Sequence, residues 1–225
     1  MKDLDKKAFA GLLRLVITLT VLLFLSAWSL RYWQAWIFLA VFSLSSLMIG
    51  VYLMRNDPKL LERRTEASPF AEKERGQRVI QIFAMTGFLA TIAFPAIDHR
   101  FAWSTVPPYV SIIGDLLVAL GFLIIFSAFK ENTFASRLIE VDPEQKVIST
   151  GPYARVRHPM YAGALVMLVG VPLALASWWG LLPVIPMTLV LIFRLLDEEN
   201  FLVKNLAGYA EYRNTVRYRL IRFIW

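Results

Sequence analysis

A run of 36 residues, His158 to Phe193, contains no Asp, Glu, Lys or Arg. Such a run is too long for one membrane-spanning helix, which needs about 20 residues. A Ser-Trp-Trp-Gly segment at 177–180 lies near its middle and supplies turn-forming and interfacial residues. The run therefore predicts two antiparallel membrane helices, roughly 159–176 and 180–196, joined by a very short turn.

Four further apolar stretches precede this run, and each is long enough to span a bilayer. They are Phe9 to Leu30, Tyr32 to Met54, Val79 to Ile97, and Tyr109 to Phe129. The chain is 57% hydrophobic with a mean hydropathy of +0.55, which is well above the values of soluble domains. We therefore predict an all-α fold, a polytopic membrane helix bundle of about six transmembrane helices with a cytoplasmic C-terminal helix.

The whole chain, residues 1–225, is predicted to form a single integral membrane domain. Residues 1–130 hold four N-terminal spans, and residues 131–225 hold a polar loop, the helical hairpin and a tail. The first span has a basic start but no cleavage site before Arg31, so we expect a membrane anchor and not a signal peptide. Prolines at three positions are expected to kink the hairpin helices: Pro172, Pro183 and Pro186.

The net charge of +7 raises nucleic acid as a partner, but the positions of the charges favour anionic lipid headgroups instead. If the N-terminus is cytoplasmic, only Arg31 and Arg100 of the 24 Lys and Arg residues lie outside. This unequal distribution of Lys and Arg requires an even number of spans, so both termini are predicted to be cytoplasmic. The protein is predicted to lie in the cell (inner) membrane. The charged segment 55–78 is expected to be partly helical and to lie against headgroups.

Metal and disulfide chemistry have few candidate residues in this chain. Cysteine is absent, and His99 and His158 are the only histidines, so disulfides, thiolate metal sites and His-rich metal sites are excluded. Asp115 falls in the outer half of its span. A carboxyl group that is satisfied near the outer interface is the favoured interpretation, separate from any cytoplasmic chemistry.

Residues 151–163 read Gly-Pro-Tyr-Ala-Arg-Val-Arg-His-Pro-Met-Tyr-Ala-Gly and stand where the polar loop meets the apolar run. Ordinary membrane loops rarely combine two Pro, two Tyr, two Arg and a His in so few residues. Pro159 at the start of a helix fixes the direction of the preceding His158 imidazole. The segment therefore predicts one wall of an active site.

A second polar segment, Arg194-Leu-Leu-Asp-Glu-Glu-Asn200, ends the last span. Arg194 and Glu198 are four residues apart and share a helix face. Because a tight hairpin joins the two helices, their cytoplasmic ends lie side by side, which brings His158, Tyr161, Arg194 and Glu198 into one region. Taken singly, each residue is an ordinary anchor, aromatic-belt or solvated residue, and only their convergence favours a functional site.

These residues also follow the order of a known family. The order is Gly151-Pro152-Tyr153, Arg157-His158-Pro159-Met160-Tyr161-Ala162-Gly163, Arg194, Glu198-Glu199, Tyr209 and Tyr212. It resembles the isoprenylcysteine carboxyl methyltransferase family, which is related to the membrane phospholipid N-methyltransferases. The matching stretch runs from about Lys146 to Trp225, whereas the first 130 residues are similar only in being membrane spans.

The resemblance implies methyl transfer that depends on S-adenosylmethionine. The loop before the motif contacts this cofactor in such enzymes, together with residues of the motif and an acid on the last helix. The implied cofactor-binding positions are Gln145, Lys146, Val147, Ile148, Tyr153, His158, Pro159, Met160, Tyr161, Glu198 and Glu199. Which of the two glutamates makes the contact stays open. Arg194 matches a substrate-contacting position, and Arg194 and His158 are the predicted catalytic residues.

The chemistry of these residues limits the classes of molecule that can accept the methyl group. The sulfonium is already activated, so the protein supplies proximity and orientation, and no metal is needed. A guanidinium at Arg194 suits a carboxylate, which needs no base to react. We therefore predict carboxyl O-methylation of a lipophilic, isoprenylcysteine-like acceptor that enters from the bilayer. Phospholipid N-methylation and thiol S-methylation are the alternatives.

Two other classes of protein compete with a methyltransferase. A membrane reductase that uses NADPH is a more distant alternative, which rests on fold-level analogy alone. A transporter or scaffold is disfavoured, because the sequence shows neither repeated halves nor charges at the bilayer midplane.

Overall fold

The computed structural model describes residues 2–66, 75–136 and 139–225 and is 75% helical. The helices are α1 (Lys2–Ala27), α2 (Trp33–Asn56), α3 (Pro58–Glu66), α4 (Arg75–Phe101), α5 (Pro108–Glu131), α6 (Pro159–Ala174), α7 (Val184–Asn205) and α8 (Tyr209–Thr215). In the described residues, 3₁₀ turns lie at Gly151–Ala154 and Trp179–Leu181. The described ranges contain no strand, which confirms the predicted all-α fold.

Within the described ranges, five helical segments are long and apolar enough to cross a membrane. They are Asp3–Ala27, Trp33–Asn56, Ile82–Phe101, Pro108–Glu131 and Trp179–Asn205. The sixth apolar helix, α6, has 16 residues and is therefore about 24 Å long, which is shorter than a typical hydrocarbon core. The predicted polytopic bundle is confirmed, with five full-length spans and one shorter apolar helix, and the protein is a multi-pass membrane protein.

The hairpin between α6 and α7 differs in detail from its prediction. Its connection covers residues 175–183, and α7 then continues to Asn205, well beyond the predicted end. Pro183 is the N-cap of α7 and Pro186 lies in its first turn, so the prediction that these two prolines kink a helix is wrong. Amides in a first helical turn have no partner within the helix, so proline is well placed to start one. Pro172 does lie inside α6.

Helices α5 and α6 form the closest pair in the bundle. A Cβ atom added at Gly121 would lie 2.7 Å from the carbonyl oxygen of Gly163, and one added at Gly163 would lie 2.7 Å from the carbonyl oxygen of Gly121. Only glycine permits this backbone approach, which is how membrane helices gain packing without a hydrophobic driving force. The contact fixes α6, and with it the residues at its start, against a rigid partner.

The two ends of the bundle are built differently. At the hairpin end, where residues 175–183 turn, the buried Asp98 carboxylate accepts hydrogen bonds from the Ser104 amide (2.7 Å), the Ser104 hydroxyl (2.6 Å) and the Ser177 hydroxyl. Tyr32 donates to the Leu175 carbonyl at 2.5 Å. At the opposite end, called the cavity end below, the loop between α5 and α6 packs among α3, α7 and α8.

Segment 55–78 is helical in part, as predicted, because it contains α3. Residues 67–74 of this segment lie outside the described residues, and its contact with headgroups stays a prediction. Two arginines of α3 reach inward to the loop. Arg63 pairs with Asp142 at 2.7 Å, and Arg64 donates to the Ala135 carbonyl at 2.9 Å. Helix α3 therefore braces the loop before residues 151–163, which the sequence did not predict.

Asp115 is an exception to the well-satisfied interior. Its side chain is 6% exposed, and neither carboxylate oxygen has a hydrogen-bond partner among the described residues. The same holds for the hydroxyl of Ser111, which is four residues earlier on α5. The expectation that Asp115 is satisfied near an interface is therefore not met in the described part of the chain.

Candidate active site

A cavity of about 520 Å³ occupies the cavity end of the bundle. Its apolar part is lined by residues of the membrane helices, and its polar part by the α5–α6 loop, the ends of α6 and α7, and α8. The apolar part includes Ala84, Met85, Ile125, Ala164 and Leu191. A volume of about 300–1,000 Å³ with a few convergent polar groups is usual for small-molecule sites.

The residues predicted to form the site meet at this cavity. Those that line it are Gln145, Lys146, Val147, Ile148, Tyr153, His158, Pro159, Met160, Tyr161, Arg194 and Glu198. Glu199 is the exception, because it lies behind the wall. The hairpin argument thus places the four key side chains correctly, whereas their roles toward a ligand stay predictions.

Glu198 and Tyr161 form a direct pair on facing helices. The Tyr161 hydroxyl donates to Glu198 Oε2 at 2.7 Å, and Arg194 lies close enough to interact electrostatically with the same tyrosine. All three side chains line the cavity. A carboxylate, a phenol and a guanidinium therefore lie together on the cavity wall. The carboxylate can bind hydroxyl or ammonium groups of a ligand, and the guanidinium can bind a carboxylate.

Glu199 anchors the wall from behind. Its buried carboxylate accepts from Arg157 Nε at 2.6 Å and from Arg219 Nε at 2.9 Å, and the His158 Nε2 atom lies 3.2 Å from Oε1. Arg157 is itself buried and donates to the carbonyls of Val216 and Arg217, both at 2.8 Å. The carboxylate thus fixes the His158 ring, which meets the edge of the Tyr161 ring with centroids 5.7 Å apart.

Three buried tyrosines close the polar part of the cavity. The Tyr212 hydroxyl donates to the Tyr153 carbonyl at 2.8 Å, and Asn132 Nδ2 donates to the Tyr153 hydroxyl at 3.2 Å. Burial raises the pKa of Tyr153 to about 12 and the pKa of Tyr209 still further above its usual range. Both are therefore neutral phenols at physiological pH. The buried Tyr209 hydroxyl has no hydrogen-bond partner among the described residues, so it can serve a ligand.

Sequence reasoning missed several lining residues. Arg64, Asn132, Phe134 and Glu140 come from α3 and the loop, and no local pattern marks them. Tyr209 and Tyr212 were noted as part of the resemblance but not as site residues, although both line the cavity. A repeated aromatic residue on a polar helix close to a predicted site was the available signal for them.

Residues 109–208 match the family model described as phospholipid methyltransferase. This part of the chain is similar to the phospholipid methyltransferase family, which is also the family of the isoprenylcysteine carboxyl methyltransferase-like membrane enzymes. The resemblance drawn from the motif is therefore confirmed. No curated protein sequence matches the chain significantly.

The match corrects the extent of the resemblance. It begins at the start of α5 and not near Lys146, and it ends at Gly208, just before α8. It therefore includes the tightly packed α5–α6 pair together with the predicted site residues. The family match and the apolar helices together support a membrane methyltransferase.

Proposed function

We propose that the protein is an S-adenosylmethionine-dependent methyltransferase whose acceptor is a lipophilic carboxylate of the isoprenylcysteine type. The observation that carries the proposal is the two-part cavity. Its polar part holds Glu198, Tyr161 and Arg194, and its apolar part is lined by four membrane helices. S-adenosylmethionine is polar and water-soluble, whereas the acceptor is lipophilic. A cavity with one polar and one apolar part suits this pair of ligands.

The chemistry of the lining residues fits the methyl donor. Glu198 can accept hydrogen bonds from ribose hydroxyls or from an ammonium group. The Tyr209 hydroxyl, which has no partner among the described residues, can donate to a carboxylate or a ring nitrogen. Tyrosine faces attract cationic centres. When bound, S-adenosylmethionine supplies a methyl group already activated on a sulfonium. The residues of this chain have to hold and orient the methyl donor and the acceptor, and they have to exclude water.

Arg194 favours a carboxylate as the acceptor. Its guanidinium can orient a carboxylate through two parallel hydrogen bonds, and a carboxylate reacts without losing a proton. The residues near it then have no proton to remove, and proximity and orientation make the main contribution to the rate. The apolar lining from Ala84, Met85 and Leu191 suits the lipophilic part of such an acceptor, which enters from the bilayer.

A phospholipid amine is the second candidate acceptor. The description of the matched family favours it, and so do the carboxylates of Glu140 and Glu198, which line the cavity and attract an amine. An ammonium group must lose a proton before it reacts, so this reaction needs a base. Its rate would then rise with pH, whereas carboxylate methylation would not require that dependence.

We further propose that the cavity end faces the cytoplasm of a cell (inner) membrane, with both termini on that side. The excess of Lys and Arg at this end supports the orientation. A water-soluble methyl donor also has to reach the polar part of the cavity from an aqueous compartment. Because the chain lacks cysteine, single-cysteine variants at Arg100 and Lys204 test the orientation directly. Labelling of position 204 from outside intact cells would contradict it.

The deciding experiment measures ligand binding and methyl transfer with the full chain in nanodiscs. S-adenosylhomocysteine should raise the melting temperature of the protein, and Glu198→Gln should abolish this effect. The matched control is Glu62→Gln, a change at an exposed glutamate of α3. Labelled methyl transfer is then tested with a prenylcysteine, phosphatidylethanolamine and a lipophilic thiol. Stabilisation by a nicotinamide nucleotide alone would overturn the proposal.

The variant Arg194→Gln tests whether Arg194 binds the methyl acceptor or the methyl donor. If Arg194 holds the acceptor carboxylate, the variant should lose turnover with the prenylcysteine while it keeps most of its affinity for S-adenosylhomocysteine. Equal losses of both would show that Arg194 organises the donor site.

A further inference from the structure

The last ten residues, 216–225, form a segment called the strap below. Its tip exposes three large apolar side chains, Ile221 (54% exposed), Phe223 (73%) and Ile224 (76%). Arg222, which lies between Ile221 and Phe223, and Arg217 are also exposed, and residues 212–225 contain no Asp or Glu. Apolar and cationic side chains displayed together are typical of a surface that enters the headgroup region of an anionic membrane.

The tip is held in one shape by its own backbone. A main-chain oxygen of Trp225 accepts from the amides of Arg219 (2.8 Å), Leu220 (2.9 Å) and Ile221 (3.2 Å). The Arg219 guanidinium lies 5.1 Å from the centre of the Trp225 ring. Phe223 has φ of 69°, a left-handed conformation that a bulky residue adopts only when its surroundings impose it. The apolar side chains are therefore displayed by a closed loop.

The inner face of the strap joins it to the membrane helices. Leu220 and Trp225 pack with Tyr161, Leu191 and Leu195 of α6 and α7. These contacts hold the strap against the cavity-end parts of α6 and α7, so its exposed tip lies beside two membrane helices. A lipid leaflet is the occupant that fits both this position and the positive charge.

The strap also holds the wall of the cavity. The Arg157 amide donates to the Tyr218 carbonyl and the His158 amide to the Arg219 carbonyl, both at 2.9 Å. The Arg219 guanidinium binds Glu199, which in turn contacts His158. Any displacement of the strap is therefore transmitted to His158 through backbone and side-chain bonds.

We propose that the strap seats on the anionic leaflet at the cavity end and that this seating orders the His158 wall of the cavity. Anionic lipid thereby regulates the site, because it stabilises the arrangement in which His158 and Glu199 are in place. Only the ligand measurement described below rests on the proposed function.

The seating is tested by depth measurement. The cysteine-free chain allows Phe223→Cys to carry a single bimane label in nanodiscs of phosphatidylcholine with or without phosphatidylglycerol. Brominated lipid should quench this label strongly, and more so with phosphatidylglycerol, whereas a label at Asn214→Cys on α8 should stay largely unquenched. No quenching at position 223 in either lipid would overturn the proposal and would direct the search to a protein partner.

The coupling is tested by hydrogen exchange of the peptide that covers residues 151–161. Phosphatidylglycerol should slow its exchange by roughly three- to tenfold in the wild type. This effect should disappear in Arg217→Gln/Arg222→Gln and in Phe223→Ser/Ile224→Ser. Arg55→Gln, which changes an exposed arginine of α2, should keep it. A wild-type response that persists in both double variants would contradict the coupling.

Affinity for S-adenosylhomocysteine provides a separate readout and should rise with phosphatidylglycerol in the wild type only. If this ligand fails to bind in every lipid while exchange still responds, the proposed function fails and the strap inference stands. If the ligand binds with an affinity that is independent of lipid and exchange does not respond, the strap inference fails alone.

Discussion

Each end of the bundle is held by a buried carboxylate, and the two carboxylates have different partners. At the hairpin end, Asp98 accepts from one amide and two hydroxyls, all of them neutral. At the cavity end, Glu199 is held by two guanidinium groups and an imidazole. Neutral donors satisfy a carboxylate without adding charge, whereas without Glu199 the buried Arg157 would lose its counter-charge and the partly exposed Arg219 would lose its carboxylate partner.

The two carboxylates also differ in what they join. Asp98 ties two short turns together, and both turns belong to connections between membrane helices. Glu199 ties the start of α6, the strap and its own helix to one point directly behind the cavity. We infer that Asp98 stabilises the bundle only, whereas Glu199 stabilises it and also positions residues of the site.

The largest effect is expected for Glu199→Gln. The amide is nearly isosteric but leaves Arg157 and Arg219 without a counter-charge, so the free energy of unfolding should fall by about 3–5 kcal/mol. Affinity for S-adenosylhomocysteine should fall at least about tenfold at a temperature where the variant is folded, because a neutral amide holds the His158 ring less firmly than the carboxylate does. Thermal unfolding and calorimetric titration measure the two quantities. Unchanged affinity in a folded variant would show that Glu199 is structural only.

Asp98→Asn should give a smaller effect confined to stability. One hydrogen bond is replaced by a clash between donors in a buried site, which costs about 1–3 kcal/mol. Ligand affinity should stay at the wild-type value, since the hairpin end is separated from the cavity by the length of the bundle. The same two measurements apply, and a loss of affinity comparable to that of Glu199→Gln would remove the distinction between the two ends.

Two tyrosines of α8 separate stability from binding at the cavity end itself. Tyr212→Phe removes a hydrogen bond to the Tyr153 carbonyl and should lower stability by about 1 kcal/mol. Tyr209→Phe removes a hydroxyl that has no partner in the described part of the chain, so it should leave stability unchanged and weaken S-adenosylhomocysteine binding several-fold. If Tyr209→Phe binds as tightly as the wild type, the unpartnered hydroxyl does not serve this ligand.

The sequence predicts the frame of the molecule because bilayer thickness sets the length of an apolar run. The helical hairpin and the proximity of His158 to Glu198 follow from that frame. The sequence does not show which of Glu198 and Glu199 faces the cavity. Successive residues of an α-helix point about 100° apart. A polar helix end has no apolar stripe, so its sequence does not indicate which residues face the interior.

Long-range anchors at the cavity end are also hidden from the sequence. Arg63 and Asp142 are 79 residues apart, and nothing in either local segment indicates that they pair. The burial of Arg157 likewise depends on carbonyls of the strap, some 60 residues later. Such contacts depend on how irregular segments fold back, and hydrophobic periodicity carries no information about this.

A third buried carboxylate gives the smallest and most informative test of the comparison. Asp115 has none of the donors that satisfy Asp98 and Glu199 in the described residues. A carboxyl group without partners destabilises a buried site, so Asp115→Asn should raise the melting temperature slightly or leave it unchanged, where Asp98→Asn lowers it. Its ligand affinity should equal that of the wild type. A clear loss of stability would show that Asp115 does have a partner, and hydrogen bonding would then govern all three carboxylates alike.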